Sequence, residues 1–159
     1  SGWGVRTLGT REVRYNPVSY HNGSIWPHDN GLIMAGLSQM GFLKEFKKLS
    51  KAYLDSVAMF PDYRLPELIC GFDREDYSGP VLYPTSCSPQ TWSVASVFLL
   101  LRSMTGNLFD KGKFIHDGNF LMPPDVDSIE ISGVIGASRA LKSFKDWNSF
   151  EEEVAGGCF

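Results

Sequence analysis

The sequence predicts a mainly α-helical fold, because three stretches of the chain combine helical apolar spacing with helix start and stop signals. The 159 residues suit one domain or one large fragment of a domain. The predicted helices cover residues 30–40, 43–59 and 89–105. After the third helix the helical spacing of apolar residues ends. Turn residues there separate three short predicted strands, which are Phe114–His116, Phe120–Met122 and Ile129–Ile131.

The first predicted helix begins at a polar capping residue, Asp29 or Asn30, and ends before Gly41. Apolar residues such as Leu32 and Ile33 leave this helix few polar positions. A helix with so little polar surface belongs mostly inside a protein, so we expect it to be largely buried.

The second predicted helix is amphipathic. Phe46, Leu49 and Tyr53 recur at steps of three and four residues, and lysines occupy the opposite face. Pro61 follows its end, where a proline cannot continue a helix. The turn between the first two helices is short, which predicts a helical hairpin.

The third predicted helix is apolar on all sides. Ser88 is a suitable N-cap, Pro89 suits the first helical position, and the run from residue 92 to 104 is almost entirely apolar. Such a helix belongs in a core. Three helices of this composition need more partners than the chain supplies, which favours a piece of a larger helical assembly or an oligomer.

Composition excludes several classes of protein. The formal net charge is −3, and no basic patch predicts nucleic-acid binding. No run of about 18 apolar residues predicts a membrane span, and the N-terminal residues do not form a signal peptide, so they resemble a chain entered in mid-protein. Cys70, Cys87 and Cys158 have neither disulfide nor metal spacing. Buried thiols in a reducing compartment explain them, which predicts a cytoplasmic protein.

The first group of chemically active residues is the aromatic segment, residues 20–30, at the entrance of the first helix. It holds two histidines, two large aromatics and a carboxylate within 11 residues. Tyr20 and Trp26 have flat apolar faces of the kind that bind sugar rings, and Asp29 can accept hydrogen bonds from sugar hydroxyls. The alternative is that both aromatic residues belong to the core and that Asp29 only caps the helix.

The second group is the carboxylate loop, residues 65–72. Glu67 stands there between apolar neighbours, in a loop that a proline and a glycine stiffen. A buried carboxylate is costly unless it is paired, and acids in such places often serve as general acids or bases. The alternative is a surface salt bridge from Glu67 to Arg64 or Arg74.

The third group is the cysteine loop, residues 83–90, together with Trp92 in the helix behind it. Cys87 and His21 could form a thiol nucleophile and its base, but no third orienting group is specified. His21, His28 and Cys87 do not have the spacing of a zinc site. The sequence therefore predicts no metal and no cofactor.

These three segments, in this order, resemble the C-terminal end of the glycogen-debranching enzymes of the amylo-α-1,6-glucosidase group, within the wider clan of glucoamylase-like hydrolases. The matching stretches are SGWGVRTLG (1–9), YNPVSYHNGSIWPHDNGLIMAGL (15–37), LPELICGF (65–72), YPTSCSPQTWSVASVFLLL (83–101) and FLMPPDVDSIEISGV (120–134).

The resemblance implies a toroid of six helical hairpins with the active site at its mouth. Residues 1–110 would form the C-terminal part of that catalytic domain, residues 111–135 a short closing β segment, and residues 136–159 a tail without assigned structure. It also implies inverting hydrolysis of an α-glucosidic bond, which requires two carboxylates. Glu67 matches the general base. Nothing in the chain matches the general acid, so the chain is expected to be inactive alone.

The resemblance also implies a sugar pocket and partners. The implied substrate-binding residues are Tyr20, Trp26, His28, Asp29, Gln90 and Trp92. The partners would be an α-glucan or α-glucoside, and the remainder of the toroid or a second copy of the chain. We expect Glu67 to share one concave site with Trp26, Asp29 and Trp92, and both flanking helices to direct their N-termini at it. The alternatives are a non-catalytic carbohydrate-binding module and a purely structural helical domain.

Overall fold

The computed structural model describes residues 1–105, 109–110, 113–114, 121, 128–134 and 137–142. Three α-helices dominate this part of the chain: α1 (Pro27–Gln39), α2 (Leu43–Val57) and α3 (Thr91–Thr105). Two short 3-10 turns, Pro61–Tyr63 and Arg74–Asp76, lie between α2 and α3. The prediction of a mainly α fold is confirmed. Within these residues no helix is both long enough and apolar enough to cross a membrane.

Four short strands follow the helices. They are β1 (Phe109–Asp110), β2 (Lys113–Phe114), β3 (Ser128–Val134) and β4 (Ala137–Lys142). β1 pairs with β2 and β3 pairs with β4, both antiparallel. The predicted strand at Ile129–Ile131 falls within β3. The predicted strand at Phe120–Met122, apart from Leu121, and the predicted tail beyond residue 142 lie outside the described residues.

The predicted start of α1 is wrong by three residues. Trp26 is the N-cap and Pro27 the first helical residue, a position where its missing N–H costs nothing. Asn30 is buried instead of capping: its Nδ2 donates to the Trp26 carbonyl at 2.9 Å, and its Oδ1 accepts the Val5 N–H at 2.6 Å. The side chain that looked like a cap therefore fastens the N-terminal segment to the helix.

The predicted start of α3 is also wrong, by two residues. Ser88 and Pro89 are joined by a cis peptide bond and lie before the helix, which begins at Thr91. The chain is held out of the helix here because the Gln90 N–H donates to the Leu65 carbonyl at 3.0 Å. Pairing with the carboxylate loop thus decides where α3 begins.

The helices α1 and α3 lie side by side and run parallel. Three contacts follow one another in the same order along both: His28 with Trp92, Gly31 with Ser96, and Ser38 with Ser103. α2 lies between these two helices in the sequence. It follows α1 after a turn in which Gly41 adopts a positive φ of 78°. The N-terminal ends of α1 and α3 therefore meet at the same end of the helical layer.

The main core lies where the three helices meet. Its buried residues are Met34, Phe46, Leu49, Tyr53, Val57, Leu65, Leu100 and Met104. Inside it, the Tyr53 hydroxyl lies 2.5 Å from Ser96 Oγ, so the one phenol of this core has a polar partner. Leu65 belongs to the carboxylate loop, so this core also anchors the segment that carries Glu67.

The outer flanks of α1 and α3 are exposed, which corrects the prediction that both helices are buried. Leu32 is 55% exposed on α1, and Trp92 and Phe98 are 61% and 68% exposed on α3. Each of the two helices buries its inner side against the main core and the other helix. The remaining flanks are open to solvent at these three side chains.

Candidate active site

Single-residue β-bridges bring the distant segments of the site together. Ile25 and Ile69 exchange both backbone hydrogen bonds, at 2.9 and 3.0 Å. Ile69 also bridges to Leu82, and Ile25 to Arg6. Ile25 and Ile69 are buried together with Trp3 in a second, smaller core. The aromatic segment, the carboxylate loop and the chain before the cysteine loop consequently lie side by side.

Gly71 fixes the far end of the carboxylate loop. Its N–H donates to the Pro17 carbonyl at 2.8 Å, and its carbonyl accepts from Arg6 Nε at 2.6 Å and the Tyr15 hydroxyl at 2.9 Å. A Cβ built on Gly71 would stand only 1.7 Å from the Gly23 carbonyl oxygen. Only glycine allows this approach, so the loop that follows Glu67 is held against the aromatic segment.

The Glu67 carboxylate is held by one donor at each oxygen. The Tyr20 hydroxyl donates to Oε1 at 2.6 Å, and the Cys87 backbone N–H donates to Oε2 at 3.2 Å. In the backbone, the Glu67 N–H donates to the Cys87 carbonyl at 2.8 Å. The side chain is half-buried. Glu67 therefore joins all three segments that the sequence indicates as chemically active.

The alternative of a surface salt bridge from Glu67 to an arginine is wrong within the described residues. Arg74 donates instead to Asp55 Oδ2 at 2.6 Å, and its guanidinium lies 4.4 Å from the centroid of a Trp3 ring. Arg64 is exposed and makes no contact with the carboxylate. Glu67 is thus a carboxylate whose described partners are neutral hydrogen-bond donors.

An aromatic cluster surrounds the Tyr20 end of this carboxylate. The Tyr20 ring makes edge contacts with Trp26 at 4.8 Å, Tyr83 at 5.6 Å and His21 at 4.7 Å between centroids. His21 also stacks on Trp26 at 6.0 Å. The Trp26 indole N–H donates to Ser24 Oγ at 2.9 Å, which fixes its orientation. Aromatic and carboxylate groups are therefore contiguous here.

The cluster continues through His28 to the N-terminal end of α3. His28 contacts Trp26 edge-on at 5.5 Å and stacks on Trp92 at 4.1 Å, with 17° between the planes. His28 is buried, and its Nδ1 has no hydrogen-bond partner within the described residues. Trp92 remains largely exposed. One continuous row of rings thus connects Trp92 with Glu67.

Asp29 lies beside this row on a neighbouring cavity. Its side chain is 54% exposed, and its Oδ1 lies 3.7 Å from His28 Nε2. The cavity has a volume of about 350 Å³ and is lined by Val5, Arg6, Thr7, Trp26, Asp29, Asn30, Leu32 and Ile33. Trp26 therefore lines this cavity and also contacts the Tyr20 ring, at 4.8 Å between centroids. Of the four residues expected in one concave site, Trp26 and Asp29 line this cavity, whereas Glu67 and Trp92 are not among its lining residues and connect to Trp26 through the row of rings.

Gln90 supports the loops. Its Oε1 accepts from the Ser93 hydroxyl at 3.0 Å, and the same hydroxyl lies 3.5 Å from the Glu67 carbonyl oxygen. Ser93 is fully buried in the first turn of α3. The Gln90 amide oxygen therefore contacts the serine that lies next to the Glu67 backbone.

The hydrogen bond to Glu67, followed by burial, raises the pKa of the Tyr20 hydroxyl to about 12. A negative carboxylate next to a phenol disfavours the phenolate, because two like charges would then face each other. Tyr20 consequently stays protonated and able to donate throughout the neutral range.

Sequence reasoning missed two members of the site and one contact between residues that it had singled out. Tyr83 was not singled out by itself, although its place in an aromatic-rich loop beside two prolines was a visible signal. The Cys87 N–H is a backbone donor, and no side-chain pattern reveals one. The contact of Tyr20 with Glu67 spans 47 residues and depends on the Ile25 and Ile69 bridge.

Within the described residues, no group of three His, Cys, Asp or Glu side chains lies close enough to hold a metal ion. A second open cavity of about 360 Å³ lies beyond Tyr83, lined by Val18, Cys70, Val81, Leu82, Tyr83, Pro84 and Thr85. Comparisons of the chain with models of known protein families and with curated proteins give no match.

Proposed function

We propose that this chain is the C-terminal part of an inverting hydrolase of α-glucosidic bonds, of the glycogen- or α-glucan-debranching type, and that Glu67 is its general base. The observation that carries the proposal is the two-donor binding of the Glu67 carboxylate next to a row of aromatic rings. Within the described residues this carboxylate contacts no cation, and such a carboxylate beside flat rings that suit sugars has the chemistry of a glycosidase site.

The helical arrangement supports an incomplete toroid. In a ring of helical hairpins, consecutive inner helices run parallel and an outer helix returns between them. α1, α2 and α3 follow one another in this order, and α1 and α3 run parallel. The exposed flank of α1 at Leu32 and that of α3 at Phe98 are where further inner helices would pack. The strands after α3 would belong to the closing β segment of such a protein.

The position of Glu67 suits activation of a water molecule. The first turns of α1 and α3 meet at the aromatic row, and the N-terminal ends of helices are electropositive. Each Glu67 oxygen receives one hydrogen bond and retains a further lone pair that can accept a proton from water. A second carboxylate must protonate the leaving oxygen from the other side of the sugar, and we assign it to the missing part of the toroid.

The sugar would lie against the aromatic row. Trp92 offers the most exposed indole of the row, and Trp26 lines the neighbouring cavity with Asp29. An α-glucan or α-glucoside is the proposed ligand. The free thiols of Cys70 and Cys87 support the cytoplasmic location that we propose for the chain.

The proposal is tested first by sugar binding to the 159-residue chain. Isomaltose is titrated while the indole N–H signals of Trp3, Trp26 and Trp92 are followed by NMR. We expect Trp26 and Trp92 to shift and the buried Trp3 to stay, because only the first two belong to the row. The same chain should not hydrolyse maltose, glycogen or aryl α-glucosides. Turnover that disappears in Glu67→Gln would show that the acid lies within these residues, and a lack of any shift would contradict the sugar site.

A further inference from the structure

We propose that Tyr20 is a positioning residue for Glu67, one that fixes the plane of the carboxylate by a hydrogen bond to one oxygen while the Cys87 N–H holds the other. This inference rests on the proposed role of Glu67 as a base and specifies what makes that base effective. The resemblance gives Tyr20 a role in sugar binding, whereas the geometry assigns its hydroxyl to the carboxylate.

Two donors fix the orientation of the Glu67 carboxylate. A carboxylate that is bound at one oxygen can still rotate about its last carbon–carbon bond, whereas donors at both oxygens define its plane. The donor at Oε2 is backbone, and it is tied to Glu67 because the Glu67 N–H donates to the carbonyl of the same Cys87. The donor at Oε1 is the Tyr20 side chain, at the shorter distance of 2.6 Å. The backbone therefore holds only one of the two carboxylate oxygens, and Tyr20 holds the other.

Tyr20 is itself held in place. Its carbonyl accepts from Ser24 Oγ at 2.6 Å and from the Trp26 indole at 3.2 Å. Its ring lies between Trp26 and Tyr83, with edge contacts to both. A donor with a fixed ring and a fixed backbone can impose its orientation on the flexible glutamate side chain.

The assignment also limits what Tyr20 can do with a sugar. A phenol has one proton to donate, and Tyr20 gives it to Glu67 Oε1. Toward a sugar, the hydroxyl can therefore only accept a hydrogen bond, and the ring offers apolar surface. Loss of the hydroxyl should disturb the base more than it disturbs sugar stacking.

The test uses the backbone N–H of Cys87 as a reporter, in the 159-residue chain without any sugar. Amide spectra are recorded for the wild type, Tyr20→Phe, Glu67→Gln and Tyr15→Phe. We expect an upfield shift of the Cys87 amide proton in Tyr20→Phe, in the same direction as in Glu67→Gln, because the released carboxylate turns away from it. Tyr15→Phe is the matched control, since it removes a phenol hydrogen bond from the Gly71 carbonyl of the same loop.

Two amides separate positioning from a general loss of structure. The Gln90 and Ile69 N–H groups donate to backbone carbonyls of the same loops and should keep their shifts in Tyr20→Phe. A Cys87 amide that moves in Glu67→Gln but stays in Tyr20→Phe would overturn the inference. If Tyr20→Phe fails to fold, titration of Tyr20 in Glu67→Gln tests the same contact, and an unchanged pKa there would also overturn it. Neither result depends on sugar binding or hydrolysis, so failure of the inference differs from failure of the proposed function.

Discussion

Gly31 of α1 approaches α3 so closely that a Cβ on Gly31 would stand 2.7 Å from the Ser96 Cβ. Ser96 is buried and its hydroxyl also contacts Tyr53 of α2, so this point lies where all three helices meet. The close approach keeps the first turns of α1 and α3 together, with Trp92 stacked on His28. The geometry of the candidate site thus depends on a glycine in the middle of the helical layer.

Gly31→Ala should lower the free energy of unfolding by about 1–3 kcal/mol, because the added methyl forces two packed helices apart. Gly36→Ala is the matched control in the same helix, since a Cβ there meets nothing within 4 Å. It should raise the free energy of unfolding by about 0.5–1 kcal/mol, as alanine favours the helix. Urea denaturation measures both variants. Equal effects of the two substitutions would contradict the packing described for α1 and α3.

Gly71→Ala should be among the most damaging single substitutions in the carboxylate loop. The new methyl would overlap the Gly23 carbonyl oxygen, and backbone cannot yield as a side chain can. We expect the free energy of unfolding to fall by at least about 3 kcal/mol, at the upper end of single-residue effects. Gly9→Ala, whose Cβ would meet open space, should stay within about 1 kcal/mol of the wild type. A mild effect of Gly71→Ala would show that the loop is not held against the aromatic segment.

The Tyr20 hydroxyl should titrate far above an ordinary tyrosine. Its bond to Glu67 raises its pKa to about 12 from an ordinary value of 10.0. Selective labelling of the tyrosine ring carbons, with Tyr20→Phe for assignment, measures this pKa. It should fall in Glu67→Gln, which removes the negative charge, and stay in Glu75→Gln, which removes a charge from the turn at residues 74–76. A Tyr20 that titrates near 10 in the wild type would refute the contact.

The raised pKa of Tyr20 should make the free energy of unfolding depend on pH in the alkaline range. Because the pKa of Tyr20 is higher in the folded chain than in the unfolded one, its contribution is fully present below pH 10. That contribution is lost as the pH rises through the folded value of about 12. Burial raises the pKa of Tyr53 to about 12 as well, so the wild type loses stability over this window at two tyrosines. Denaturation series at pH 9, 10 and 11 should show a shallower loss in Glu67→Gln than in the wild type.

The helices could be predicted from the sequence because their apolar spacing is local. Their starts could not, since tertiary contacts decide them: Asn30 is used to bind Val5, and Gln90 pairs with Leu65 before α3 begins. The exposure of Leu32 and Phe98 was missed for a different reason. Apolar composition indicates that a surface can be buried, but only the neighbouring elements determine whether it is.

The residues of the candidate site could be predicted from the sequence better than the contacts between them. Glu67, Trp26 and Trp92 were indicated by residue type and by resemblance, and they belong to one cluster. Their connection through Tyr20 depends on the exchange of two hydrogen bonds between Ile25 and Ile69. A single pair of bridged residues leaves no periodic pattern in a sequence, so the distance between these segments could not be inferred.

We propose Glu67 as the base of an inverting glycosidase. The most direct test is hydrolysis of an aryl α-glucoside by the complete hydrolase that we propose, in which these 159 residues are joined to the remainder of the toroid. We expect Glu67→Gln to lower kcat by about 10²–10⁴-fold, the usual contribution of a general base. Glu75→Gln should leave kcat unchanged.

Addition of azide to a Glu67 variant tests the role of this residue as a base most specifically. In Glu67→Ala, a small anion can take the place of the activated water and attack the anomeric carbon from the face opposite the leaving group. Rescue of turnover by azide, with β-glucosyl azide as the product, is the result that the proposed role of Glu67 predicts. Hydrolysis by Glu67→Ala at the wild-type rate without azide would contradict it.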